Sequence, residues 1–196
     1  MSDPSDPIAG IRLVAGIMGT IQTKEELRSC IACHVRTYSM YDLQLICGKL
    51  DKDIRLLPNP YRSHIKPYLR EWIFGRYHQV LSQDNHHRNI PPLTPLTDPD
   101  TYLAFCRMLP DGCVVPGDPH DPFPDADAPR YHLFMYLIAA FAMYVLDEPG
   151  HPAGMPFPGG KKVRRSGDVF YCPIRDKEEE IFYSICNFCP ALQDLE

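Results

Sequence analysis

The residues best suited to chemistry are three cysteines in the last quarter of the chain. Cys172 stands in a Tyr-Cys-Pro string, and Cys186 and Cys189 form a C-x2-C pair further on. Two cysteines separated by two residues can direct both sulfurs at one ion, and a cysteine from a neighbouring hairpin adds a third thiolate. Proline follows both Cys172 and Cys189, which suits the tight turns found around metal-bound sulfur. The spacing therefore predicts a metal site.

The identity of the metal depends on a fourth ligand. A structural zinc needs four protein ligands, whereas an iron–sulfur cluster can bind through three cysteines and leave one iron open. His151 and Cys113 are the preferred candidates for the fourth position, with Cys106 and His120 as further choices. The alternative without metal is that these cysteines are buried thiols or a dithiol. The sequence leaves zinc, iron–sulfur and metal-free states open.

Arg76 is the basis of a second hypothesis. It falls within the apolar stripe of a helix predicted from about Tyr61 to Ser82. A guanidinium in that position must be paired, either with a core-facing carboxylate such as Asp147 or with an anionic ligand. Together with His34 and His151, Arg76 would line the pocket of a metal-free enzyme or of a protein that binds a small anionic ligand.

Two other strings match known motifs only in part. The Cys30-Ile-Ala-Cys33-His34 string has the spacing of a haem c attachment site, but it lies within an amphipathic helix and no export signal is recognised before it. The segment Gly154 to Lys161 resembles a phosphate-binding loop, yet its lysine is one position late and its prolines lack the N–H groups that bind phosphate. We therefore find no nucleotide motif.

Composition places the chain among ordinary globular proteins. Its 196 residues are 44% hydrophobic and 23% charged, which predicts one compact domain. The formal net charge is −5 and no Lys/Arg-rich run is present, which argues against nucleic-acid binding. The apolar stretch 131–146 is too short to cross a bilayer, and the acidic N-terminal residues do not resemble a secretory signal. We expect a cytoplasmic protein that binds neither nucleic acid nor membrane.

Helical periodicity accounts for most of the chain up to residue 149. The capping box of Thr23 and Glu26 predicts the start of an amphipathic helix, and Ser39 predicts the start of a second one that ends before Pro58. Further helices are predicted over about 61–82, from Asp98 through Met108, and over 131–146. The last of these is apolar on every face, which predicts that it lies at the centre of the fold.

The remaining residues predict a different structure. A β-hairpin is expected from Lys161–Arg165 and Val169–Ile174, followed by a last helix from Asp176 to about Cys186. The fold class is therefore mainly α, a bundle of about six helices around the central apolar helix with a small C-terminal hairpin and Cys-rich cap. Residues 1–149 form the helical body and 150–196 the cap, within one domain overall. The Pro/Asp-rich loop 109–129 of the body is a candidate docking surface for a protein partner, a third hypothesis.

The C-terminal half also resembles a known family. The strings PGHPAGMPFPGGKKV, YCPIRDK and ICNFCPALQ are similar to a family of uncharacterised archaeal proteins found chiefly in methanogens (uncharacterised protein family 0305, domain of unknown function 2115). The resemblance is dense from about Tyr131 to Gln193 and implies that His151, Cys172, Cys186 and Cys189 belong to the family motif. It implies no activity. It does imply an anaerobic archaeon, which favours an iron–sulfur cluster over zinc and a redox or cofactor-assembly accessory role.

Overall fold

The computed structural model of the chain describes residues 7–86, 93–114 and 128–195. The helices are α1 (Pro7–Met18), α2 (Lys24–Val35), α3 (Met40–Leu56), α4 (Tyr61–Arg70), α5 (Arg76–His86), α6 (Pro99–Cys113) and α7 (Ala128–Ala140). A π-helical turn, Glu71–Gly75, joins α4 to α5, and a second, Phe141–Val145, extends α7. The strands are β1 (Arg164–Ser166), β2 (Val169–Cys172) and β3 (Leu192–Gln193). The fold is mainly helical, as predicted, with a small sheet near the C-terminus.

The capping residues define the first predicted helices. The Thr23 hydroxyl accepts from the Glu26 N–H at 3.3 Å while the Glu26 carboxylate accepts from the Thr23 N–H, so the predicted capping box is present. Ser39 forms the same reciprocal arrangement with Asp42 at the start of α3. Helix α1 was not predicted, although Ile11, Val14, Ala15 and Met18 form its buried stripe at helical spacing.

The apolar helix lies at the centre of the molecule, as its sequence predicted. Four consecutive residues, Leu137, Ile138, Ala139 and Ala140, are fully buried, so α7 is enclosed on every side. Helices α1, α2 and α6 pack against this central helix. Among the described residues, no helix is long and apolar enough to cross a membrane.

The prediction that α6 ends at Met108 is wrong. The helix continues to Cys113 even though Pro110 lies within it. Burial of Leu109 and Cys113 against the core compensates for the backbone N–H that the proline lacks. The predicted loop therefore begins later than Leu109. Most of this loop, residues 115–127, lies outside the described residues, and so does the candidate ligand His120.

The predicted last helix is also wrong. Between Asp176 and Cys186 the chain forms the 3-10 turn Arg175–Glu178, then irregular structure before a second 3-10 turn, Ile185–Phe188. Three adjacent glutamates, 178–180, repel one another, and Ile181 and Phe182 are exposed, so no apolar face packs this segment as a helix.

The predicted β-hairpin is confirmed with shorter strands. Arg164 pairs with Tyr171 and Ser166 with Val169 in the antiparallel β1–β2 ladder, and β3 adds to β2 in parallel. We call residues 150–195 the cap. It packs on the helical body through Phe188, whose ring lies 5.6 Å from that of Phe105 between centroids.

Candidate functional site

The sheet and the second 3-10 turn bring the three C-terminal cysteines together. Cys172 is the last residue of β2, Cys186 lies in the turn Ile185–Phe188, and Cys189 follows that turn directly. Strand β3 then runs alongside β2, so that Gln193 is opposite Cys172 and the Asp194 N–H donates to the Cys172 carbonyl at 3.0 Å. The parallel pairing therefore returns the chain that follows Cys189 to the side of Cys172.

All three thiols are buried and close enough to influence one another. Burial is the main cause that raises the pKa of Cys186 to about 11; the Ser184 side chain lowers this pKa, and the neighbouring Cys189 and Cys172 contribute to the rise. Burial likewise raises the pKa of Cys172, and Cys189 adds to that rise. Three ionisable sulfurs in one apolar region cannot all carry charge without a cation among them.

Backbone N–H groups surround two of the sulfurs. The N–H groups of Ile174 and Arg175 lie beside the Cys172 sulfur, and those of Ala191 and Gly150 lie beside the Cys189 sulfur. These donors lower the pKa of each thiol, although burial has the larger effect and raises it. Hydrogen bonds to sulfur stabilise the thiolate and tune metal–sulfur centres, so this backbone suits a metal-bound cysteine.

Arg175 and Ser184 are the residues of this site that sequence reasoning missed. The Arg175 guanidinium lowers the pKa of both Cys172 and Cys189, and its Nε donates to the Cys189 carbonyl at 3.3 Å. Ser184 caps the turn that carries Cys186. The only signal in the sequence was the position of Arg175 three residues after Cys172, which does not reveal where the side chain lies.

The three sulfurs do not form a preorganised site. Within the residues described, no group of three or more His, Cys, Asp or Glu side chains is arranged to hold a metal ion. Metal binding and local structure are coupled in many small sites, where the ligands adopt their final positions on the ion. The donor set fits a thiophilic metal in its chemistry, and rotation of the thiol side chains would have to bring the sulfurs to one point.

The other cysteines belong to different regions. Cys113 ends α6, where burial raises its pKa to about 12 and its influence falls on Tyr38 and Tyr136 instead of the cap thiols. Burial raises the pKa of Cys106 to about 11, and Cys30 of α2 adds to that rise. The structure thus brings the predicted ligands Cys172, Cys186 and Cys189 together and leaves Cys113 with a separate set of neighbours.

Arg76 is paired, although not with the residue suggested from sequence. Its guanidinium forms an ion pair with Glu148 and donates to the Gln79 side-chain oxygen at 2.7 Å. Asp147, the carboxylate considered from sequence, pairs with Lys24. Because Arg76 already has a carboxylate partner, it is not available as a free cation for an anionic ligand.

The two histidines of the second hypothesis lie in separate contacts. His34 is half-buried near the end of α2, and burial lowers its pKa. The His151 ring packs against Trp72, with 5.9 Å between ring centroids, and against Phe157, at 5.4 Å. No hydrogen bond or ring contact joins Arg76, His34 and His151 to one another in the part of the chain described.

Comparison with known proteins shows that this chain is similar to one family of uncharacterised archaeal proteins. The family described as "Uncharacterized protein conserved in archaea (DUF2115)" matches residues 23–194. A UPF0305 protein of Methanopyrus kandleri is 34% identical over 139 residues, which cover 71% of this chain and 88% of that protein. A UPF0305 protein of Methanocaldococcus jannaschii is 20% identical over 164 residues, 84% of this chain and 92% of the relative. No solved structure matches the chain.

Proposed function

We propose a function for this chain as a member of the archaeal family DUF2115, to which it belongs: its cap binds a metal centre through Cys172, Cys186 and Cys189. The observation that carries the proposal is the environment of the sulfurs. Cys189 and Cys172 both raise the pKa of the buried Cys186, Cys189 also raises that of Cys172, and two backbone N–H groups lower the pKa of Cys172 and two others that of Cys189. An apolar core alone does not require hydrogen-bond donors around sulfur, whereas bound thiolates do.

A metal ion would compensate the negative charge that three buried thiolates carry in the cap. Burial raises the pKa of the thiols, whereas a cation bound to the sulfurs lowers it and keeps the cysteines deprotonated. The N–H groups around Cys172 and Cys189 and the charge of Arg175 then stabilise sulfur that carries negative charge. Ser184 would do the same at Cys186 through its hydroxyl.

Of the two metal centres considered, the proposal favours an iron–sulfur cluster. Three cysteines suffice for such a cluster, whereas a structural zinc needs a fourth protein ligand. Neither candidate for that position, His151 or Cys113, has a described interaction with the cap sulfurs. A cluster would serve electron transfer or cofactor assembly in a redox accessory protein, while zinc would make the cap a structural element.

The test is metal content together with the visible spectrum of protein purified without air. We expect near-stoichiometric iron with a sulfur-to-iron charge-transfer band, and we expect both to be lost in a Cys186→Ser/Cys189→Ser variant. Cys33→Ser/Cys47→Ser is the matched control, because it also removes two thiols but from the exposed and half-buried positions outside the cap. Zinc alone would remove the redox role. Wild-type protein that binds neither metal when reconstituted would overturn the proposal.

A further inference from the structure

A buried donor without an acceptor lies outside the cap thiols. Trp72 is on the first π-helical turn and is only 8% exposed, and among the described residues no acceptor bonds its indole Nε1–H. Leaving such a donor unbonded costs roughly 1–3 kcal/mol, so it calls for a partner. π-Helical turns occur frequently at functional sites, since the extra residue shifts a side chain out of the regular helical positions.

His151 supplies a second polar group beside this donor. Its ring packs between Trp72 and Phe157, yet it keeps partial solvent access and makes no hydrogen bond to any residue in the part described. Burial lowers the pKa of His151 to about 4, so the imidazole is neutral at physiological pH. A neutral imidazole offers one N–H donor and one acceptor nitrogen to a ligand.

The surroundings are aromatic, and the arginines closest in the sequence to Trp72 are paired. Phe157 is buried. The backbone of Gly154, with φ +86°, lies close to the Tyr68 ring: a Cβ atom on residue 154 would be 3.3 Å from the Tyr68 hydroxyl. The two arginines nearest to Trp72 along the helix are both paired, Arg70 with Asp51 and Arg76 with Glu148. Aromatic walls with a few polar groups are typical of sites for small molecules, and the lack of an unpaired arginine beside Trp72 favours an uncharged ligand over an anionic one.

We propose that Trp72 and His151 form a binding site for a small, uncharged, planar ligand that carries a carbonyl group. The carbonyl oxygen accepts from the Trp72 indole N–H, and the His151 imidazole bonds a polar hydrogen or a second acceptor on the ligand. Flat faces pack against the aromatic walls. This site shares no residue with the three cap thiols, and the probes used below contain no metal.

The test uses the fact that Trp72 is the only tryptophan of the chain. Its indole N–H gives a single cross-peak in a 1H–15N NMR spectrum, and this peak moves downfield when the N–H donates to a new acceptor. The probes are benzamide, benzoate and benzylamine, which share a ring and differ in charge. We expect benzamide to move the peak saturably, and we expect the two charged probes to bind about tenfold more weakly or not at all.

Variants separate the proposed role of His151 from simple packing. His151→Phe keeps an aromatic ring and removes both nitrogens, so benzamide affinity should fall about tenfold. His151→Gln serves if that variant does not fold. His64→Phe is the matched control, because His64 is exposed on α4, and its affinity should equal that of the wild type.

Three results would overturn the proposal. The first is the absence of any saturable movement of the indole peak with benzamide up to its solubility limit. The second is equal affinity in the wild type and the His151 variants. The third is a water-to-indole cross-relaxation signal that persists unchanged at the highest benzamide concentration, because it would show that an ordered water is the partner of Trp72.

Discussion

At the scale of single residues, Arg175 is the side chain whose charge should matter most to the cap. Its guanidinium lowers the pKa of Cys172 and Cys189, so it stabilises the thiolate forms that bind metal. We predict that Arg175→Gln weakens zinc affinity of the reconstituted protein on the order of tenfold, as other groups that support metal ligands do. Competition with a chelator measures this. Arg175→Lys should restore part of the affinity, and Arg165→Gln, at a more exposed arginine, should leave it unchanged.

The second prediction for a single residue concerns His151 and the pH dependence of the free energy of unfolding. Burial lowers its pKa from 6.5 to about 4 in the folded protein. The unfolded chain therefore binds a proton at a higher pH than the folded one does, and the folded state loses stability as pH falls from 6.5 toward 4. His151→Phe should abolish this part of the loss, about 2–3 kcal/mol at most.

The measurement is urea unfolding of both proteins at pH 7 and pH 4, with Trp72 fluorescence as the signal. Carboxylates whose pKa is lowered, such as Asp42 and Asp51, contribute equally to both proteins and cancel in the comparison. Identical pH dependence in the two proteins would show that His151 titrates normally. His64→Phe should behave as the wild type does.

At the scale of elements, the end of the central helix depends on Asp147. This residue has φ +55°, its carboxylate pairs with the Lys24 ammonium at the start of α2, and it accepts from the Thr97 hydroxyl at 2.7 Å. Asp147→Asn keeps the shape and the tolerance for this backbone conformation but removes the charge opposite a lysine whose side chain is only 9% exposed. We predict a loss of about 1–3 kcal/mol in the free energy of unfolding, measured with urea.

The same substitution at an exposed aspartate is the control for that prediction. Asp168 is fully exposed and lies 3.5 Å from Arg165, so Asp168→Asn should not change stability measurably. If both variants lose the same amount, the effect belongs to the substitution in general. If neither loses stability, the Lys24 pair does not hold α2 to the central helix.

The elements also show what sequence could and could not predict. Capping residues predicted α2 and α3 because their hydrogen bonds are local, and uniform hydrophobicity predicted the central helix because burial is its direct consequence. The helix expected from Asp176 to Cys186 failed because a cap residue alone does not form a helix without a face to bury. Strand β3 has only two residues, so its pairing with β2 depends on contacts that no local pattern contains.

The candidate site, too, could be predicted from the sequence only in part. Cysteine spacing predicted that Cys172, Cys186 and Cys189 lie together, because a hairpin and a C-x2-C turn restrict where they can go. The N–H donors to sulfur depend on the conformation of turns around Pro173 and Pro190, and the Gly150 donor comes from a distant segment. The spacing of the cysteines in the sequence cannot predict tertiary contacts of this kind.

At the scale of the whole molecule, the C-terminal residues close the cap. The Arg164 guanidinium binds both oxygens of the buried Asp194 carboxylate, at 2.9 and 2.7 Å, which fastens the residues after β3 to β1. We predict that deletion of residues 191–196 opens the cap and makes Cys172, Cys186 and Cys189 react rapidly with a thiol reagent in the metal-free protein.

The control thiols for that experiment are in the helical body. Cys106 and Cys113 are buried between helices and should stay protected in the truncated chain, while the exposed Cys33 should react at the same rate in both proteins. Rapid reaction of Cys106 and Cys113 as well would mean that the deletion unfolds the entire protein. Protection of all three cap thiols would mean that β3 and Asp194 do not hold the cap closed.

The most direct measurement of the central claim is X-ray absorption at the edge of whichever metal the protein retains. Binding through the cap predicts a shell of at least three sulfur atoms, at about 2.3 Å for either metal, and loss of that shell in Cys186→Ser/Cys189→Ser but not in Cys33→Ser/Cys47→Ser. A shell of nitrogen and oxygen alone, at about 2.0–2.2 Å, would contradict the claim that these cysteines hold the metal.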